Sequence, residues 1–283
     1  MSSKKAKRPN ASTSKASASE NRREALRNQQ AVQARQKRNA RILAIVAGVI
    51  ALAIVAVVGI VAWQDWKTKK EQREREANVQ MAPPNAFEKN KGIVVNPEAK
   101  DAKYKLDVYI DYQCPYCADT DKALAPAWKE LMADGTVQMR VHTMTFMNAQ
   151  ARSTHSTDLA IGAACADTVG KYYEFHNAAF ENQQKTIPLY SDEMVKKTIP
   201  DQAGITGADR DKWQSCFDNK STSQFVREVE ENAGKDGVTG TPTIKVNGKN
   251  PKVKNDKGEE VAWWANIDTT KEAWEKGMAD AAK

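Results

Sequence analysis

Cys114-Pro115-Tyr116-Cys117 is the stretch from which the rest of this chain is read. It follows Tyr104-Lys105-Leu106-Asp107-Val108-Tyr109-Ile110-Asp111, whose alternation predicts a strand. It precedes Asp119–Met132, which predicts a helix. Two cysteines separated by two residues at a strand-to-helix corner have the spacing of a small redox-active disulfide. The helix start supplies free backbone N–H groups and a positive dipole end. Those stabilise the thiolate of the first cysteine, Cys114, and make it a good leaving group. Pro115, which with Tyr116 forms the loop between the sulfurs, fits a first helical turn, where no N–H is needed. The competing readings are a metal-binding pair and an ordinary structural disulfide. A metal site needs further ligands, and none of His142, His155 and His176 is close in sequence, so no metal and no cofactor are assigned. The three histidines read as surface or satisfied core residues.

The net charge of +7 raises the question of nucleic acid, and its location answers it. Residues 1–41 hold 12 Lys/Arg against two acids, whereas the remainder holds 31 Lys/Arg against 34 Asp/Glu. The basic excess is a tail on a slightly acidic body, which counts against a nucleic-acid-binding domain. Its first part, rich in Ser, Lys, Ala and Asn, has nothing to bury and is expected to be disordered, turning helical towards residue 41. Ile42–Trp63 then contains no charged residue. As a helix its 22 residues would span about 33 Å, enough for a hydrocarbon core of about 30 Å. The apolar run is too long, and its leader far too long, for a typical signal peptide. A single transmembrane helix over residues 42–64 is therefore expected. The more basic leading side puts the N-terminus in the cytoplasm and the C-terminal bulk outside. There, in an oxidising compartment, a stable disulfide chemistry makes sense.

Residues 65–84 read as a charged stalk ending in the breaker Met81-Ala82-Pro83-Pro84-Asn85, and residues 85–283 as the catalytic domain. Within it, Gly92–Val95 and Val137–Phe146 predict strands, and Pro126 should kink or end the helix after the cysteine pair. Residues 152–231 are helical in pattern, with Ala160, Ala163, Ala164, Val169, Tyr172 and Phe175 on one face of a long helix. Four cysteines outside the cytoplasm suggest two pairs. A Cys165–Cys216 bond would close a loop of about 50 residues, a stabilisation on the order of 4 kcal/mol; two separate buried thiols are the alternative. Val238-Thr239-Gly240-Thr241-Pro242-Thr243-Ile244-Lys245-Val246-Asn247-Gly248 predicts a turn, a strand and a hairpin turn. A strand near Glu260–Trp264 and a helix over Thr270–Ala282 complete the pattern.

This order, with Asp111-Tyr112-Gln113-Cys114-Pro115-Tyr116-Cys117 paired with Val238-Thr239-Gly240-Thr241-Pro242, resembles the DsbA-like branch of the thioredoxin superfamily over roughly residues 91–282. The membrane-anchored Gram-positive type, and actinobacterial members with a second, structural disulfide, are the nearest in pattern. The resemblance implies an α/β thioredoxin-like fold with an inserted helical domain. It implies that Pro242 is cis and lies beside the redox pair, with Thr241 offering backbone hydrogen bonds to an extended substrate. Many thioredoxin-like proteins carry a buried carboxylate six residues before the first cysteine; here that residue is Val108. Asp107 and Asp111 differ from it in strand parity and read as solvent-facing acids.

The function expected is an extracytoplasmic thiol–disulfide oxidoreductase that introduces disulfides into unfolded secreted proteins through Cys114 and Cys117. A membrane redox partner would reoxidise the pair. A membrane-tethered reductase or isomerase is the alternative on the same fold, separated by redox potential. A non-catalytic chaperone or Cu(I)-binding module is the third reading, and no Met-rich or His-rich tract accompanies it.

Overall fold

The structure, a computed structural model, describes residue 48, residues 54–67 and residues 80–283. Residues 54–67 are helical (α1). Residues 42–47 and 49–53 of the expected 42–64 span, the tail before it and residues 68–79 of the stalk lie outside the described residues. Among the described residues no helix is long and apolar enough to cross a membrane. The chain divides into two units between residues 71 and 72, and the cysteine pair lies in the C-terminal one.

A five-stranded sheet organises that unit: β1 (Ala86–Phe87), β2 (Gly92–Val94), β3 (Tyr104–Ile110), β4 (Val137–Thr143) and β5 (Thr243–Val246), in the order β1-β2-β4-β3-β5. The central pair β3 and β4 is parallel, with Val108 opposite Val141, and β5 runs antiparallel to β3, with Tyr109 opposite Thr243. Parallel strands need a crossover, and the helix after the cysteine pair, α2 (Pro115–Ala133), provides it. Its buried residues Cys117, Ala118, Asp121, Leu124, Ala127, Trp128 and Leu131 recur at the helical period. The helix runs through Pro126 without ending there. The C-terminal helix α9 (Lys271–Ala281) packs on α2, with the Trp128 and Trp274 rings edge to face at 5.7 Å.

Between β4 and β5 come α3 (Met147–Ala151), α4 (His155–Asp167), α5 (Tyr172–Glu181), a π-helical turn (Met194–Thr198), α6 (Ile199–Gln202), α7 (Gly207–Asp218) and α8 (Ser223–Lys235). The single helix expected through Ala160 and Phe175 is two. Gly170 takes a positive φ of 67°, and Lys171 N–H closes on the Ala166 carbonyl at 2.8 Å, a left-handed helix stop. The periodicity survives the break because α4 and α5 pack on each other. Cys165 of α4 and Cys216 of α7 are joined by a disulfide, with Cα atoms 5.8 Å apart.

The last helix of this series, α8, lies against β4, and Ala233 packs with Tyr109 and Met144 on the sheet face opposite α2. Both faces of the sheet are therefore covered, and β3 is buried at every position except Lys105. This corrects the reading of Asp107 and Asp111. They do point away from Val108's face, but that direction leads into protein, and their exposures are 4% and 0%.

The Asn247-Gly248 turn is present, with φ of 48° and 79°, but the chain leaving it does not return as a long strand. Val246 makes a single bridge to Lys249, and Asn247 is instead tied to both backbone groups of Lys105. The strand at Glu260–Ala262 (β7) pairs with Lys252–Lys254 (β6) in a separate two-stranded sheet.

Candidate active site

Three residues carry the chain from β3 to the redox pair. Asp111 builds the corner: its carbonyl accepts Cys114 N–H at 2.9 Å, and its Oδ1 accepts Gln113 N–H at 2.8 Å, an Asx-type turn inside a β-turn. Cys114 is then the N-cap of α2, with extended backbone (φ −86°, ψ 114°), and Pro115 opens the helix. Cys114 and Cys117 are both free thiols, 4% and 1% exposed, while Tyr116 between them is 74% exposed.

The two sulfurs differ in chemistry. Cys114 is pulled down from an ordinary 9.0 to about 6, first by the hydrogen bond from the Cys117 thiol. Burial opposes this, and Thr241 and the backbone N–H groups of Cys117 and Tyr116 add to the pull. Cys117 is pushed far up, by burial first and then by its hydrogen bond to and charge repulsion from Cys114. One sulfur is thus a ready thiolate and leaving group, and the other holds its proton.

The loop before β5 completes the site. The Thr241–Pro242 bond is cis, and the Thr241 carbonyl lies 3.5 Å from Cys114 Sγ, where it accepts the thiol proton. The Thr241 hydroxyl is buried without a hydrogen-bond partner in the thiol form and supports the Cys114 thiolate as a donor. Thr241 and Pro242 are therefore brought to the cysteine pair across 127 residues of chain, whereas Cys165 and Cys216 form a separate bond between α4 and α7.

Several residues around the pair carried no signal that set them apart in the sequence. Asp111 is fully buried, and its carboxylate accepts Ser156 Oγ at 2.7 Å and Met147 N–H at 3.0 Å besides Gln113. Burial first, and then the Cys114 charge, push its pKa up to about 6 against these three donors. Tyr112 Oη shares a hydrogen bond with His176 Nδ1 at 3.2 Å, and His176 Nε2 one with Asp121 Oδ1 at 3.1 Å, stapling the corner to α5 and α2. Gln183 and Tyr190 reach in from the helical segment to the backbone of Tyr112. His142 is buried against Asp107 at 2.9 Å, and His155 is paired with Asp192 at 3.1 Å. Each of the three histidines is paired with a carboxylate, though His155 Nδ1 is buried without a hydrogen-bond partner. Among the described residues no cluster of three or more His, Cys, Asp or Glu is placed to hold a metal ion.

Comparison with known proteins bears on the whole arrangement. A family profile described as Thioredoxin matches residues 98–262. The thiol:disulfide interchange protein DsbA of Pseudomonas syringae pv. tomato is 28% identical over 153 residues, covering 54% of this chain and 66% of that protein. The probable disulfide bond formation protein D of Bacillus anthracis is 24% identical over 155 residues, covering 52% and 67%. The chain thus matches about two thirds of the length of these relatives. Among solved structures, MdbA, a thiol-disulfide oxidoreductase from Actinomyces oris, superposes with a TM-score of 0.54 at 18% identity, covering 70% of this chain and 92% of that one. BdbD from Bacillus subtilis superposes with a TM-score of 0.51 at 20% identity, covering 71% and 99%. At these identities the superpositions speak to the fold.

Proposed function

The chain belongs to the thioredoxin family as a DsbA-like thiol–disulfide oxidoreductase, and from that premise we propose that it works as an oxidase, introducing disulfides into unfolded secreted proteins outside the cytoplasm. The observation that carries the direction is the asymmetry of the pair. A Cys114 thiol pulled below its ordinary value, beside the Thr241 loop, favours the dithiol form, and whatever favours the dithiol shifts the disulfide towards the oxidising side.

The steps follow from the geometry. A substrate thiolate attacks Cys114 Sγ of the disulfide, forming a substrate–Cys114 bond and breaking the Cys114–Cys117 bond. Cys117 leaves with the electron pair and takes a proton, as its raised pKa requires. A second substrate thiolate then attacks the substrate sulfur of the mixed disulfide and expels Cys114 as the thiolate. The substrate has lost two electrons and the pair has gained them; a membrane redox partner would take them on. The Thr241 backbone beside Cys114 suits an extended substrate segment lying across the pair.

Anchoring in the lipid bilayer by residues 42–64, N-terminus inside, is part of the same proposal. It is supported by the charge-free run Ile42–Trp63 and the basic tail before it. A bonded Cys165–Cys216 pair fits an oxidising compartment. The test is the redox potential of the full chain against glutathione. A value near −120 mV is expected, and one near −270 mV would replace the oxidase by the reductase reading. In intact cells, an impermeant thiol reagent should label Cys114 after mild reduction; labelling only after lysis would sink the topology.

A further inference from the structure

The backbone between Ile110 and Pro115 belongs neither to the sheet nor to a helix, so its polar groups need partners of their own. Two are met from within, by Asp111. The carbonyl of Tyr112 is met from the segment after α5, and that of Cys114, already the first acceptor of α2 (Cys117 N–H at 3.1 Å, Ala118 N–H at 3.3 Å), gains a further donor from there. Gln183 Nε2 lies 2.7 Å from Tyr112 O and 3.2 Å from Cys114 O. A carboxamide nitrogen carries two N–H groups, so each carbonyl receives its own donor. Gln183 is itself placed by the end of α5, through its N–H to Phe180 O at 3.3 Å, and the loop beyond closes by Gln184 N–H to Leu189 O at 2.9 Å.

We propose that Gln183 is a positioning residue for the disulfide exchange, fixing the peptide plane after Cys114 so that the first N–H groups of α2 stay aimed at the Cys114 sulfur. The reason lies in the torsions. Pro115 locks its own φ, so ψ of Cys114 is the main soft torsion by which the helix start could swing relative to the sulfur. The Cys114 carbonyl is the handle on that torsion: the N–H groups of Cys117 and Ala118 tie it to α2, and Gln183 ties it, together with the Tyr112 carbonyl, to the segment after α5. What depends on the torsion is the approach of the Tyr116 and Cys117 N–H groups to the sulfur, two of the contacts that favour the thiolate. The Gln183 donors also offset the negative ends of two carbonyls that would otherwise oppose a charged sulfur beside them. The Tyr190 hydroxyl, 3.0 Å from Tyr112 O and 2.9 Å from Ala179 O, has one proton and reaches only the first of the two clamped carbonyls.

This rests on Cys114 being the attacked sulfur, and the experiment separates the two. In the full chain, Gln183→Met keeps the side-chain length and removes both donors. Titration of the Cys114 thiolate by its ultraviolet absorbance should move up by roughly half to one pH unit, and the equilibrium with glutathione should shift about three- to tenfold towards the disulfide, about 14–30 mV. If Gln183→Met loses thermal stability while titration and equilibrium keep their wild-type values, Gln183 merely ties two parts of the fold together and the proposal is overturned. Should that variant not fold, Gln183→Asn, too short to reach both carbonyls, is read by the same two measurements with the same outcomes. The wild-type potential judges the oxidase reading; the difference between wild type and variant judges the clamp.

Discussion

Asp107 in the middle of β3 and Asp111 just beyond its end stand four residues apart, both buried, and their environments drive them in opposite directions. At Asp107, burial would raise the pKa, but hydrogen bonds from His142 and Arg140 and their charges overcome it and hold the carboxyl below its ordinary value. That cluster is closed: Tyr109 stacks on His142 with ring centres 3.9 Å apart, and Arg140 lies over the Phe87 ring at 4.9 Å. At Asp111 only neutral donors answer burial, and its charged neighbour is the like-charged Cys114 sulfur, so its pKa rises to about 6. A compensated buried charge is structure. An uncompensated one beside a thiol is poised to exchange protons near neutrality. One lies within the strand and the other on the residue that follows it, and only the second lies at the corner that leads to Cys114.

The largest effect is expected on the compensated side. Asp107→Ala leaves Arg140 and His142 buried without their carboxylate, which costs about 3–5 kcal/mol of stability by denaturant unfolding. The Asp107 contribution is present above its unfolded pKa and is lost as pH falls through the lowered folded value, so the wild-type advantage should vanish only in strong acid. The Cys114 titration should stay near 6 in this variant. If it moves by a full unit, the two regions are electrically one and the contrast between them fails.

Asp111→Asn comes next. Its folded pKa is raised, so the native dithiol state binds an extra proton between about pH 4 and 6. Wild-type stability attributable to this group therefore falls as pH rises through that window, by up to about 3 kcal/mol. Measured as a difference from Asp111→Asn, the dithiol wild type should be relatively better at pH 4 than at pH 7. In the disulfide form no Cys114 thiolate opposes the carboxylate, so the window should narrow. A pH-independent difference between the two proteins would show that Asp111 is not strained by its surroundings.

How much of this was legible in the sequence depends on the range of each interaction. The alternation of β3, the cysteine spacing at its end and Pro115 after Cys114 are local, and the elements appear where those residues put them. The parity of Asp107 and Asp111 was also legible, since it is a property of one strand. Its meaning was not, because the groups that bury these residues come from elsewhere in the chain: Met147 and Ser156 meet Asp111 from 36 and 45 residues on, and α8, which packs on the same sheet face, begins more than a hundred residues later. Gln183 lies in a stretch of Asn, Gln and Lys with no periodicity, and nothing local distinguishes it from Gln184. Thr241 was singled out by the resemblance, yet only the fold shows that its carbonyl meets the Cys114 sulfur and that its hydroxyl acts on the sulfurs of both Cys114 and Cys117.

That hydroxyl supports the smallest and sharpest test of the contrast. The Thr241 side-chain oxygen is buried with no hydrogen-bond partner in the thiol form, a cost that the fold carries while Cys114 is protonated. Its return comes only when Cys114 is charged, because a thiolate can accept what a thiol bound elsewhere does not. Thr241→Val keeps the shape and removes the hydroxyl, so two quantities should move in opposite directions. Thermal stability below pH 5, where the sulfur is protonated, should hold or rise by up to about 1 kcal/mol. The Cys114 titration should shift up by less than about one unit, with a matching loss of thiolate at pH 6. Thiolate absorbance against pH and melting at pH 4.5 read the two. A variant that loses stability in acid while titrating as wild type would make Thr241 an ordinary packing residue, and the buried polar group at this corner would then belong with Asp107 rather than with Asp111.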